Sequence, residues 1–223
     1  MEQMNTQGIK FKPPRPIPVI LLLDTSGSMA GGKIEELNDA VAEMLASFKS
    51  AVQREAVIKV ALITFGNGRA VERLPLTESA QIEWDTRFSA DGDTPLGAAL
   101  SKAKELIEDR NIIPSSGLRP MVVLVSDGQP NDAWEAPFDA FLNEGRSQKS
   151  NRFAMAIGSD ADEQLLAAFA SPENPLVHAN GAGDIVKFFR KVTMTATGQT
   201  NAAQGIPAPA QPANFGQFSQ EYL

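Results

Sequence analysis

Residues 17–29 read IPVILLLDTSGSM, and this stretch decides the fold. The run from Ile17 to Asp24 is continuously apolar until its last residue, a pattern typical of a strand buried on both faces of a sheet. A cluster of Asp, Thr, Ser and Gly then follows at once. In open α/β sheets, ligands bind beyond the carboxyl ends of the strands. The sequence therefore predicts a central strand with a polar site at its end.

Strands and helices alternate outward from this stretch. The predicted strands are residues 17–24, 57–65, 69–77, 121–126, 152–157 and 176–178, and the predicted helices are residues 33–49, 95–109, 136–144, 162–169 and 184–192. The turn Gly66-Asn67-Gly68 is too short for a crossover, so the second and third strands are expected to pair antiparallel. The pattern predicts an α/β fold: a doubly wound, Rossmann-like sheet of six strands, mostly parallel with one antiparallel edge strand, and helices on both faces.

Composition divides the chain into three parts. Residues 1–15 are a polar, proline-containing leader, residues 16–193 are the folded body, and residues 194–223 are rich in Gln, Ala and Pro. The last segment has too little apolar surface to offset the entropy of ordering, which predicts a disordered tail. Its Phe215, Phe218 and Tyr222 leave a short docking motif as an alternative.

Charge and residue counts exclude several classes of function. The chain has 223 residues, a formal net charge of −7, no cysteine and one histidine. Thiolate metal sites, disulfide scaffolds and most histidine-based triads are therefore disfavoured, and no basic patch suits nucleic acid. The N-terminus lacks the apolar core of a signal peptide, and the longest strongly apolar run, residues 18–23, is too short to span a bilayer. We expect a cytoplasmic protein.

Oxygen-bearing side chains converge at the predicted carboxyl edge of the sheet. The first strand ends in the DTSGSM segment, residues 24–29, and the fourth ends in Ser126-Asp127-Gly128. Gly92-Asp93-Thr94-Pro95 opens a helix between them. Two carboxylates and three hydroxyls at one edge suit a hard divalent ion, Mg²⁺ with Mn²⁺ or Ca²⁺ as competitors. The predicted metal-site residues are Asp24, Ser26, Ser28, Thr94 and Asp127.

The DxSxS motif at the end of a buried strand, followed by Thr94 and Asp127 in that order, resembles the metal-ion-dependent adhesion site (MIDAS) of von Willebrand factor type A domains. The resemblance covers about residues 16–193. It implies that Ser26, Ser28 and Thr94 contact the ion directly and that Asp24 and Asp127 act through coordinated waters. It also implies that a carboxylate of a partner protein fills the sixth position, so that the domain is a metal-dependent protein–protein interaction module and not an enzyme.

Further strings, TFG at 64–66, PLT at 75–77, TPLG at 94–97 and SDGQPND at 126–132, resemble bacterial TerY-type proteins of tellurite-resistance and stress-response clusters. That resemblance implies partnership with a Ser/Thr kinase and a PP2C-type phosphatase. Asp93 departs from the subgroup, in which the residue before the threonine is more often uncharged. Its extra charge would either raise the metal affinity of the site or disfavour an acidic partner. Alternatively, it would cap the helix that begins near Thr94.

Residues beside these loops, and the tail, offer further hypotheses. Three residues near the site are candidate partner contacts: Asp93, Gln129 and Trp134. For Trp134 the alternative is packing between a helix and the sheet. Glu221 or the terminal carboxylate of the tail is a candidate ligand for the site of a second copy, which would give self-association. An adaptor for an AAA+ ATPase is the alternative function. A Mg²⁺-dependent phosphatase is less favoured, because an aspartyl-phosphate enzyme would need an acid where Ser26 stands and no phosphate-binding glycine loop is present.

Overall fold

The computed structural model describes residues 15–52 and 57–204. Its strands are β1 (Ile17–Asp24), β2 (Ile58–Gly66), β3 (Arg69–Glu78), β4 (Met121–Ser126), β5 (Asn151–Ile157) and β6 (Val177–Ala179). Its α-helices are α1 (Gly32–Val52), α2 (Leu96–Glu108), α3 (Glu135–Asn143), α4 (Glu163–Phe169) and α5 (Ala182–Gln204).

The strands form one six-stranded sheet in the order β3-β2-β1-β4-β5-β6. All neighbours pair parallel except β2 and β3, which pair antiparallel. The predicted fold class is thereby confirmed. The chain order reverses at β1, which lies between β2 and β4, and in this class of sheet that point is where ligands bind.

Both faces of the sheet are covered, as the apolar run of β1 predicts. Every residue of β1 is buried. Leu21 and Leu23 pack in the core under α1 and α5, whereas Ile20 and Leu22 pack in the core under α2, α3 and α4. Since successive side chains of a strand point to opposite faces, a strand with a core on each side has no polar alternation.

Helix α5 corrects the predicted boundary of the tail. The helix was expected to end at Val192, but it continues to Gln204. Val192 and Ala196 are fully buried, four residues apart on one face, and belong to the core that α1 also covers. This packing stabilises the end of α5, because most of the stability of a protein helix comes from tertiary packing and not from the helix propensity of its residues. The remainder of the predicted tail, residues 205–223 with its candidate docking and ligand residues, and the leader up to residue 14 lie outside the described residues.

Among the helices of the described ranges, none has the length and apolar character needed to cross a membrane.

Candidate metal site

Asp24, the last residue of β1, lies fully buried at the point where the sheet order reverses. Its Oδ1 accepts a hydrogen bond from the Ser26 backbone N–H at 2.8 Å. Its Oδ2 accepts one from the Ser126 hydroxyl at 2.5 Å. Burial raises the pKa of Asp24, the bonds from Ser126 and Ser26 lower it, and the nearby charge of Asp127 raises it further. The net effect is a raised pKa, with burial as its main cause.

Ser26 and Ser28 follow Asp24 on a tight turn whose residues Gly27–Met29 form a short 3-10 helix. Their hydroxyl oxygens are 3.1 Å apart. The Ser28 hydroxyl donates to Oδ1 of Asp127 at 2.7 Å, which joins the end of β1 to the end of β4. Asp127 is fully buried. Four of the five predicted residues thus form one connected group.

Thr94 reaches the same place from the loop before α2. Its backbone N–H donates to Oδ1 of Asn131 at 2.9 Å, and its carbonyl accepts from the Asn131 N–H at 3.3 Å. A Cβ built on Gly128 would lie 3.4 Å from the Ser28 hydroxyl oxygen and 3.5 Å from that of Thr94, so both hydroxyls border one small space. Thr94 is only 7% exposed, and within the described residues its hydroxyl makes no hydrogen bond.

Backbone contacts hold the loops that carry these side chains. The Gly27 N–H donates to the Gly92 carbonyl, and the Asp91 N–H to the Thr25 carbonyl, both at 2.9 Å. Gly92 has a φ of +64°, and a Cβ there would come within 2.7 Å of the Asn67 Cα. The glycine therefore allows the loop before Thr94 to approach both β1 and the β2–β3 turn.

The donor set fits a hard divalent cation. Two buried carboxylates and three hydroxyls supply oxygen only, as Mg²⁺, Mn²⁺ and Ca²⁺ prefer. Within the described residues the Thr94 hydroxyl makes no hydrogen bond, and burial raises the pKa of Asp24, so an added cation near this carboxylate would be favourable. Within residues 15–52 and 57–204, no group of three His, Cys, Asp or Glu side chains offers a competing site.

The candidate partner residues have different surroundings. Asp93 is exposed and its Oδ1 accepts from the Asn131 side-chain amide at 3.2 Å. Its predicted alternative role as a helix cap is wrong, because α2 begins at Leu96 and Asp132 accepts from the N–H groups of Gly97 and Ala98. Asp132 is a residue that the sequence interpretation missed.

Gln129 and Trp134 lie on the segment after β4. Gln129 is exposed beside the site, as a partner contact requires. Trp134 is half-buried, and its ring packs edge-on against Phe138 with centroids 5.6 Å apart. This ring contact is the helix packing that we gave as the alternative to a partner contact for Trp134.

Two further polar residues at the site escaped the sequence interpretation. The sequence indicates Ser126 only as the end of a strand, yet its hydroxyl donates to Oδ2 of Asp24. Lys33, in the first turn of α1, places its Nζ 2.5 Å from Oδ2 of Asp127. A lysine at the N-terminus of a helix opposes the helix dipole, and that local conflict is the signal that could have identified it.

Fold and site together define an α/β domain with an oxygen-donor site at its topological switch point. The family model for the von Willebrand factor type A domain matches residues 19–191, and the chain belongs to that family. The inter-alpha-trypsin inhibitor heavy chain H4 of Sus scrofa is 27% identical over 165 residues, which cover 70% of this chain and 17% of that protein. The chain spans less than a fifth of the length of the curated relatives it matches.

Solved structures share the fold. A von Willebrand factor type A protein from Catenulispora acidiphila has a TM-score of 0.65 at 15% identity, over 82% of this chain and 43% of that chain. Proximal thread matrix protein 1 from the mussel byssus, in a structure with a zinc-occupied MIDAS motif, has a TM-score of 0.59 at 20% identity. The match covers 84% of this chain and 47% of that chain.

Proposed function

We propose that the chain is a metal-dependent protein–protein interaction module, in which the five predicted residues hold Mg²⁺ and a partner protein supplies an Asp or Glu carboxylate. The observation that carries the proposal is the convergence of five side chains at the ends of β1 and β4 and the loop before α2. Among the described residues, the buried Thr94 hydroxyl finds no hydrogen-bond partner. Such an unpartnered buried hydroxyl is costly unless a ligand satisfies it.

In this proposal the side chains have different tasks. The hydroxyls of Ser26, Ser28 and Thr94 would contact the ion directly. The buried carboxylates of Asp24 and Asp127 would balance its charge through coordinated waters. When bound, the ion supplies an electrophilic position that an incoming carboxylate can fill, because Mg²⁺ retains exchangeable waters. Exposed Gln129 and Asp93 beside the site would then contribute to the choice of partner.

We further propose Mg²⁺ as the resident ion, a cytoplasmic location and a place in a TerY-type stress-response assembly with a Ser/Thr kinase and a PP2C-type phosphatase. The strings at 64–66, 94–97 and 126–132 support this assignment. The zinc-occupied motif of the mussel protein supports a divalent ion at a site of this kind and leaves the choice of metal to experiment.

Capture of partners from bacterial lysate tests the proposal. We expect partners to bind the immobilised full-length chain in Mg²⁺ and to be lost in EDTA and with Thr94→Val, a variant that removes a hydroxyl without a protein hydrogen bond in the described structure. A kinase or phosphatase among the captured proteins supports the stress-response assembly, and an AAA+ ATPase supports the adaptor alternative. Partners that persist in EDTA and with Thr94→Val would contradict metal-dependent recognition.

A further inference from the structure

Lys33 is the cation that contacts the candidate metal site. Its Nζ lies 2.5 Å from Oδ2 of Asp127, whose other oxygen accepts from Ser28, so both carboxylate oxygens are engaged. The Lys33 side chain is 32% exposed, whereas that of Asp127 is fully buried. The Lys33 side chain also lies next to Gly158, just after β5, where a Cβ would be in van der Waals contact with the Lys33 Cε and Nζ at 3.5 Å.

The position of Lys33 is electrostatically unfavourable for the helix itself. It is the second residue of α1, where the exposed N–H groups give the helix a partial positive charge. The acidic residue in the same turn, Glu35, follows the usual preference. The contact with Asp127 offsets this local cost, and it places a positive charge against one of two buried carboxylates that repel one another.

We propose that Lys33 is a tethered cation that holds Asp127 in place when the site lacks metal and that opposes the metal when it binds. This inference rests on the proposed metal site. A bound divalent ion and the Lys33 ammonium would share Asp127, and their mutual repulsion weakens metal binding. Lys33 therefore lowers the metal affinity of the site and stabilises the metal-free domain.

The test compares wild type, Lys33→Met and Lys33→Arg by thermal unfolding in EDTA and in saturating Mg²⁺, and by calorimetric titration with Mg²⁺ alone. Lys49→Met is the matched control, because Lys49 is exposed on the same helix about 24 Å along its axis. In EDTA we expect Lys33→Met to lower the melting temperature by about 4–8 °C, since Asp127 loses its buried pairing. Saturating Mg²⁺ should restore it to within about 2 °C of wild type.

In the titration, Lys33→Met should bind Mg²⁺ about tenfold more tightly than wild type, with Lys33→Arg and Lys49→Met close to wild type. If Lys33 is merely structural, Lys33→Met loses stability that Mg²⁺ does not restore. That result would overturn the inference, as would an affinity of Lys33→Met for Mg²⁺ that is equal to or weaker than that of wild type. Neither result would contradict metal binding by wild type. If wild type binds no Mg²⁺ but Lys33→Met does, the inference is supported. If neither binds Mg²⁺, the proposed function and this inference fail together.

Discussion

Replacing Asp24 by Asn is expected to stabilise the metal-free domain and to weaken its binding of metal. The amide keeps the shape and can still bond to Ser26 and Ser126, but it removes one of two mutually repelling buried charges. We expect the free energy of unfolding in EDTA to rise by about 1–2 kcal/mol, because a buried charge is replaced by a neutral polar group. The affinity for Mg²⁺ should fall about 10- to 100-fold, as for loss of a supporting carboxylate.

The pH dependence of this gain follows from the raised pKa of Asp24. An acid whose pKa is higher in the folded state binds its proton more readily there, so its cost to stability is absent below the ordinary pKa near 3.8 and complete above the folded pKa. The advantage of Asp24→Asn in EDTA should therefore shrink as the pH falls from 7 towards 4. Urea unfolding at several pH values measures it, and a variant less stable than wild type at pH 7 would contradict our description of the site.

Replacing Gly66 by Ala is expected to damage both stability and metal binding. Gly66 ends β2, and a Cβ there would lie 2.5 Å from the Thr25 carbonyl oxygen and 2.7 Å from its hydroxyl oxygen. Because the obstacle is backbone of the turn that carries Ser26 and Ser28, the turn must move. We expect a loss of about 2–3 kcal/mol in the free energy of unfolding, the range for overpacking.

Urea unfolding and Mg²⁺ titration measure the two effects of Gly66→Ala, and the affinity should fall about tenfold if the turn is displaced by a fraction of an ångström. Gly198→Ala is the control, because that position in α5 faces open space and an Ala there should stabilise the helix by up to about 1 kcal/mol. If Gly66→Ala has the stability and the Mg²⁺ affinity of wild type, the close approach of Gly66 to Thr25 is not required for folding or for metal binding.

The sequence predicts the sheet well, and it predicts which side chains converge at its carboxyl edge, because these signals are local. Local sequence is enough to predict three features: the buried strand β1, the Gly66-Asn67-Gly68 turn and the polar DxSxS segment. The carboxyl ends of parallel strands must also meet at one edge of the sheet. Thr94 and Asp127 are placed by the same rule. Their side chains lie where the pattern indicates.

Tertiary contacts decide the features that the sequence does not reveal. Helix α5 continues past Val192 because Ala196 packs in the core shared with α1, a partner distant in sequence. The cap of α2 is supplied by Asp132, which lies beyond β4, and not by the nearby Asp93. Lys33 meets Asp127 across the end of the sheet. Local propensity contains no information on such pairings.

Calorimetric titration of Mg²⁺ into metal-stripped wild type and Thr94→Val tests the central claim most directly. Thr94→Val keeps the side-chain shape and breaks no protein hydrogen bond within the described residues, so its melting temperature in EDTA should be at least that of wild type. We predict one Mg²⁺ per wild-type chain and an affinity about 10- to 100-fold weaker in the variant. No binding to wild type, or equal binding to both proteins, would contradict a metal site built on these side chains.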